Sequence, residues 1–476
     1  MRIRTILAAA ATSAVVVLGM SFAIGQSSAD AAAGTTVGGV LTSDTEWTTA
    51  GSPYIVTSPV QIPSGITLTI DPGVTVEGSG ISSAPGNAGP SVFVLNGTLS
   101  AVGTADNPIH IDSGGANLID PDGSGASSTA TFQHTVLTDG RSIVAASGYE
   151  QYASLNLTDS VVSGMTSYSY LWYNNSDVIK GNIFYHSAGF SIGQNGTGPY
   201  VVDNNRFETA STNGYWVQSW NGLVDVNNNS FDAPGTPSVQ LEPGYSRAAM
   251  DATSNDWGTT DTSVIASMIY DANDDITCAG VIPYEPILDG PDPATPNGIF
   301  VNTAAPAITG TAQVGSTLTA STGTWGPTEG TTFTYQWLGN GHPITAATGA
   351  MYTPTPDVVG EQITVTVTAS KPNYNNATAT SAPTNPVSTY AAPVTGLKVT
   401  PAYTSLTATW NPSSGATKYQ VTVTQHHGSV TVGSATVTGT SARIGNLTPK
   451  NTYAVKVLAQ PAAPGQKATV VYSTTK

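Results

Sequence analysis

Between Thr131 and Trp257 one short pattern returns at a nearly fixed interval: a turn-forming residue, any residue, then a large apolar one. Its instances are His134-Thr135-Val136, Asp159-Ser160-Val161, Asn182-Ile183-Phe184, Asn205-Arg206-Phe207, Asn229-Ser230-Phe231 and Asn255-Asp256-Trp257, with first members 25, 23, 23, 24 and 26 residues apart. A period in the twenties, without helical spacing of apolar residues, buries its core by stacking coils of short strands. Asn and Asp bond nearby backbone and tolerate left-handed conformations, so the first member is assigned to the bend. The apolar residue two positions on then points inward, onto its counterpart in the next coil.

These repeats resemble the right-handed parallel β-helix of the pectin-lyase-like superfamily. The run Pro63-Ser64-Gly65-Ile66-Thr67-Leu68-Thr69-Ile70-Asp71-Pro72-Gly73-Val74-Thr75-Val76 looks like the first coils of secreted members, as does Gly97–Thr104 followed by Asn107-Pro108-Ile109. Downstream, Asn255–Thr260, a short amphipathic segment carrying Val264, Ile265, Met268 and Ile269, and Tyr284–Leu288 resemble the end cap. A cap is physically required, because an open solenoid end exposes both core and strand edges. The resemblance spans about residues 38–290 and implies a fold; this fold hosts lyases, hydrolases, adhesins and inert scaffolds, so it implies no single activity.

Two further modules follow a linker at 291–305. Residues 306–389, with Val314–Ala320, Trp325, Tyr335-Gln336-Trp337 and Ile363–Thr368, show short alternating strands between turns and resemble a bacterial immunoglobulin-like sandwich with Trp337 at its core. The cysteine pair of antibody domains is missing, since the chain has one Cys, Cys278. Residues 393–476, with Leu406–Trp410, Tyr419–Val423 and Leu447-Thr448-Pro449 before Tyr453, resemble a fibronectin type III module in which Tyr453 is the corner tyrosine. The expected architecture is therefore all-β: a right-handed parallel β-helix at 38–290 followed by two β-sandwich modules.

Composition narrows the partners. Only 9% of residues are charged and the net charge is −16, which excludes nucleic acid, since that needs a basic footprint. Arg2 and Arg4, the apolar run Ile6–Ile24 and the small residues Ala29-Asp30-Ala31 read as a signal peptide at 1–31, so the expectation is a secreted, extracellular protein with no membrane association after cleavage. An uncleaved anchor is the rival reading of the same stretch.

Chemistry on the coils is sparse. Only Arg141, Lys180, Arg206 and Arg247 are basic between Gly38 and Leu288, and the acidic and basic motifs of polygalacturonase-like hydrolases are not found. Lys180 and Asp203 hold equivalent positions and are expected to pair across coils. Glu208 and Asp232 each sit three residues after a repeat Asn, which places them on adjacent coils about 4.8 Å apart. They are the catalytic candidates, because like charges that close split their pKa values as an acid/base pair requires; two solvated turn residues or a loose calcium site are the alternatives. Asp271-Ala272-Asn273-Asp274-Asp275 starts like a calcium loop but lacks its Gly and closing Glu, so it reads as a solvated cap turn. His110, His134 and His186 lack ligand spacing, and no cofactor is expected beyond the calcium left open above.

Aromatic residues supply the binding candidates. Tyr168, Tyr170 and Trp172 alternate on one segment, and Trp216, Gln218 and Trp220 on another two coils later, with Gly193 and Asn195 on the coil between. If Leu171, Phe190, Ile192, Tyr215, Val217, Val239 and Leu241 face the core, the aromatic rows face out and enclose a trough, with Gln240 and Glu242 continuing it. Exposed aromatic rows on a weakly charged surface suit sugar rings, with amides and carboxylates bonding the hydroxyls. A one-residue slip would instead turn these rings inward. The reading is a non-catalytic binder of extracellular polysaccharide or cell-surface glycan. The alternatives are a polysaccharide-degrading enzyme, a glycoside hydrolase or lyase, and a structural envelope spacer or adhesin.

Overall fold

The computed structural model describes residues 34–81, 89–121, 128–145, 153–172, 177–193, 200–210, 214–428, 430–463 and 465–476. Residues 1–31 and Asn195 lie outside them. The chain divides into two compact units, the first holding residues 34–299 with Asn373–Asn375, the second 300–372 and 376–476. Among the described residues no helix is long and apolar enough to cross a membrane.

The first unit is a parallel β-solenoid whose strands fall into three stacks. One runs from Thr35–Val40 and Tyr54–Ile62 through Ile109–Asp112, Thr135–Thr138 and Ile183–Tyr185 to Ser230–Phe231. A second runs from Thr45–Trp47 through Thr98–Val102, Ala153–Thr158 and Tyr200–Asp203 to Ala248–Asp251. The third contains Ser169–Trp172, Phe190–Gly193, the start of Val217–Asn227, Val239–Leu241 and Ile269–Tyr270. Every pairing in these stacks is parallel, as a coil that always advances in one direction demands.

Register places the repeat more finely than its spacing does. Phe184, Phe207, Phe231 and Trp257 stack in the core, with ring centroids 5.0, 5.1 and 4.9 Å apart and planes within 19° of parallel. Pairing of Leu137 to Val162 and of Val162 to Phe184 shows that these two residues, not Val136 and Val161, are the counterparts in the two preceding coils. The first two repeats are thus offset by one from the expected alignment.

The same correction changes what the asparagines do. The left-handed residue of each bend is the one before the ladder position: His134, Asp159, Asn204, Asn228 and Ser254 have φ of 46–58°, and Gly181 has φ 70°. Thr135, Ser160, Asn182, Asn205, Asn229 and Asn255 point inward and are buried. Each asparagine amide donates to the next one's Oδ1, at 2.9, 3.0 and 3.1 Å along Asn182, Asn205, Asn229 and Asn255. Each Oδ1 also accepts the backbone N–H of the preceding rung, at 2.8–3.0 Å. Ser160 extends the column, its hydroxyl accepting the Thr135 N–H at 3.0 Å. An amide offers two donor hydrogens and an acceptor at this reach, so a bend that leaves several backbone groups facing the core suits Asn.

A short helix and the segment after it lie at the far end of the solenoid. The helix Thr262–Ser267, capped by the Asp261 carboxylate on the Ser263 N–H at 2.9 Å, buries Ile265, with Met268 buried at its end. The segment after it lies along the last coil, where Pro283 and Pro286 carbonyls accept the N–H groups of Ala252 and Ser254. These bonds satisfy a strand edge that would otherwise face water.

The strands of the second unit pair antiparallel, with one isolated parallel bridge between Gln313 and Ser388. Its first module pairs Thr332–Gly339 with Ile363–Ser370, which pairs in turn with Ala377–Thr380, and Trp337 is fully buried with its indole N–H on the Gly349 carbonyl at 2.8 Å. The second pairs Lys398–Pro401, Leu406–Thr409 and Ser441–Ile444 in one sheet, and Thr431–Val437, Lys418–Gln425, Thr452–Gln460 and Thr469–Thr474 in the other. Tyr453 is buried and its hydroxyl accepts the Thr448 N–H at 2.9 Å, tying the corner as its position predicts.

Candidate functional site

The third stack presents the aromatic face. Strand alternation buries Leu171, Phe190, Ile192, Val217, Val239 and Leu241 and turns Tyr170, Trp172, Gln218 and Trp220 outward, each partly exposed. Two residues depart from the expected register. Trp216 is 1% exposed, packed 5.1 Å from Phe207 in the core, while Tyr215 is the one at the surface. The cause is local: the N–H groups of Trp216 and Val217 both donate to the Ser238 carbonyl, at 2.8 and 3.1 Å. Two residues thus answer one on the neighbouring coil, and the alternation starts afresh at Val217.

The expected trough is a ridge. Trp172 pairs with Gly193, and a Cβ on Gly193 would come 3.2 Å from the Trp172 ring and 3.6 Å from Trp220. The rings fill the room that glycine leaves, with Trp172 and Trp220 centroids 5.9 Å apart. Tyr170 meets Trp172 edge-on at 5.7 Å, and Tyr245 meets Trp220 at 4.9 Å. Tyr245, 41% exposed, extends the ridge by one ring; its place in a turn outside the repeat gave no periodic signal.

Polar groups flank the ridge. The Gln218 amide donates to the Gln240 carbonyl oxygen at 2.8 Å, and the Glu242 N–H donates to the Ser219 carbonyl, which sets Glu242 level with Trp220. Burial raises the Glu242 carboxyl above its usual range. Burial also pushes the hydroxyls of Tyr168 and Tyr215 up to about 12, with Glu242 adding to both by repulsion, so both hydroxyls keep their protons at neutral pH. The indole N–H groups of Trp172 and Trp220 and the Ser191 hydroxyl are buried with no hydrogen-bond partner among the described residues.

The carboxylate pair sits elsewhere and is built in. Glu208 is 4% exposed and accepts the Ile299 N–H at 3.2 Å. Asp232 accepts from Arg206 Nε at 3.2 Å, from the Tyr374 hydroxyl at 2.7 Å and lies 2.8 Å from the Ser230 hydroxyl. Arg206 is itself 2% exposed, its guanidinium 5.2 Å from the Tyr374 ring. Register does bring Glu208 and Asp232 to adjacent coils, since Phe207 pairs with Phe231. The pair is nonetheless covered by the segment ending at Ile299 and by Tyr374, and one member is neutralised by arginine. An acid/base pair needs a water or substrate oxygen between its members, and here the chain's own donors hold those positions.

The remaining sequence candidates resolve locally. Lys180 and Asp203 form the expected ion pair at 2.5 Å. Asp271 is 3% exposed rather than solvated: its carboxylate accepts the N–H groups of Asn273 and Ile282 at 2.7 and 2.9 Å, which folds the cap turn. Cys278 is buried, its thiol on the Leu241 carbonyl at 3.2 Å. Among the described residues no cluster of three or more His, Cys, Asp or Glu has the geometry of a metal site.

Comparison with known proteins bears on the last module. The fibronectin type III domain family matches residues 392–473. No curated protein sequence matches the chain. Solved structures similar to it include the FN1-FN3 domains of chicken CNTN1, 16% identical, covering 38% of this chain and 67% of that one at a TM-score of 0.27. Domains A168-A170 from titin are 17% identical, covering 34% and 60% at a TM-score of 0.25. The FN5 domain of Drosophila Lar is 19% identical, covering 18% and 99% at a TM-score of 0.15.

Proposed function

We propose that this chain is an exported, non-catalytic binder of extracellular polysaccharide or cell-surface glycan, which it holds on the aromatic ridge of the solenoid. The observation that carries the reading is the ring series Tyr170, Trp172 and Trp220 on the strand stack, extended by Tyr245 from the turn beside it, at 4.9–5.9 Å spacings and left at least partly exposed. Apolar ring surface costs free energy in water, and a sugar's C–H face covers it without demanding charge. The amides of Gln218 and Gln240 and the Glu242 carboxylate flank the rings and supply partners for the ring hydroxyls of a stacked sugar. Export rests on the leader-like residues 1–31, and the sandwich modules serve as accessory domains. Trp216 drops out of the site, because its ring is core.

Affinity electrophoresis of the full chain against a panel of soluble polysaccharides tests this. Retention by at least one polymer, weakened tenfold or more in Trp172→Ala and Trp220→Ala, is the expected result. Retention unchanged in both variants, or none across the panel, would sink the ridge as the site. Reducing ends or unsaturated products released by the wild type, and lost in Glu208→Gln, would replace binding with catalysis.

A further inference from the structure

The ridge carries a sign as well as a shape, and this inference rests on the glycan reading. No Lys or Arg lies on the strands Ser169–Trp172, Phe190–Gly193, Val239–Leu241 and Ile269–Tyr270, or on the Val217–Trp220 segment. Of the four basic residues between Gly38 and Leu288, Lys180 is held by Asp203 and Arg206 by Asp232. Arg141, exposed, sits one coil before the ridge with its carbonyl on the Ser167 N–H at 2.7 Å, and Arg247, exposed, lies two residues beyond Tyr245, so both stand at the ridge's edges. Glu242 stands level with Trp220 and close enough to Tyr168 and Tyr215 to raise both.

The rings present what cations recognise. Indole and phenol faces attract ammonium groups through their quadrupole, tryptophan most strongly. Between Tyr170 and Gln218 in register lies Ser191, on the outward side of its strand, yet 1% exposed and with no partner for its hydroxyl among the described residues. A buried hydroxyl left so is costly unless a ligand supplies the partner, and it offers lone pairs to an ammonium.

We infer that the glycan taken by this ridge is a polymer of amino sugars bearing free, protonated amines, bound with the ammonium over the Trp172 and Trp220 rings and Glu242 as counter-ion. An N-acetylated polymer stacks on the same rings but brings no charge to Glu242. Selectivity between the two is therefore the signature.

The probes are the hexamer of glucosamine and the hexamer of N-acetylglucosamine, titrated calorimetrically into the full chain at neutral pH. The expected result is at least tenfold tighter binding of the amine form. That preference falls below twofold in Glu242→Gln, and both forms are lost in Trp172→Ala. Equal or tighter binding of the acetylated form, lost in Trp172→Ala, overturns the inference and leaves the glycan reading standing. Undiminished binding of the amine form by Trp172→Ala also overturns it, because attraction would then come from the net charge of −16 rather than from the ridge. Binding of neither form, with no retention across the polysaccharide panel, overturns both.

Discussion

Replacing Asn205 by alanine removes the centre of the asparagine column, and the structure fixes the cost. The Asn205 amide accepts the Asn182 N–H at 3.0 Å and the Asn182 side chain at 2.9 Å, and donates to the Ile179 carbonyl at 2.8 Å and the Asn229 Oδ1 at 3.0 Å. Two of the partners keep a second bond: the Asn182 amide still reaches the Leu157 carbonyl, and the Asn229 Oδ1 still accepts the Asn205 backbone N–H. Of the other two, the Ile179 carbonyl still lies in a paired strand, Ile179 opposite Val202, whereas the buried Asn182 N–H loses its acceptor. At about 1–3 kcal/mol for a buried donor left unsatisfied, the loss is about 2 kcal/mol, falling on coils rather than on the sandwiches. Hydrogen exchange of peptides covering residues 178–231 in the full chain reads this directly, because opening of those coils becomes easier by that amount. Asn204, one residue earlier and at φ 54°, is the control. Glycine there relieves the left-handed strain, gives up the Asn204 amide's bond to the Asp292 carboxylate at 3.0 Å, and costs about 1 kcal/mol. A loss below about 1 kcal/mol for Asn205→Ala, or a larger loss for Asn204→Gly, would refute the division of labour between bend and ladder.

Three other outcomes are expected. Trp216→Ala destabilises the solenoid by about 3–5 kcal/mol, as removal of a buried tryptophan does, and lowers its unfolding midpoint; a near-neutral change would return Trp216 to the surface. Tyr453→Phe removes the hydroxyl that accepts the Thr448 N–H and costs about 1 kcal/mol in the last module, read by urea unfolding, with no change in exchange across the solenoid. Asp177 is buried and burial raises its carboxyl to about 7, partly offset by the Leu155 N–H at 2.7 Å. Because the folded value stands above the unfolded one, the carboxyl costs nothing below about pH 4, where it is protonated in both states. Stability falls as pH rises from about 4 toward 7, at about 1.4 kcal/mol per pH step and so by up to about 4 kcal/mol. Asp177→Asn therefore gains relative to the wild type across that window, and a thermal-melt difference that is flat with pH would contradict the burial.

The sequence alone determined the solenoid, because a period near 24 with one large apolar residue per turn has few ways to bury that residue. Phe184, Phe207, Phe231 and Trp257 stack as their spacing requires. Lys180 with Asp203, Trp337 and Tyr453 were legible for the same reason: each occupies a position whose neighbour follows from a strand period or a known corner. Spacing cannot tell a bend residue from the one beside it, so the asparagines read as turn formers until register showed their side chains pointing inward. Trp216 was assigned to the surface because alternation carries no record of a shared carbonyl, and the double bond to Ser238 exists only once two coils lie side by side. The covering of Glu208 and Asp232 likewise depends on Ile299 and Tyr374, which stand 91 and 142 residues away in the chain. Local pattern fixes which residues repeat; what covers a side chain is fixed by segments that meet it only after folding.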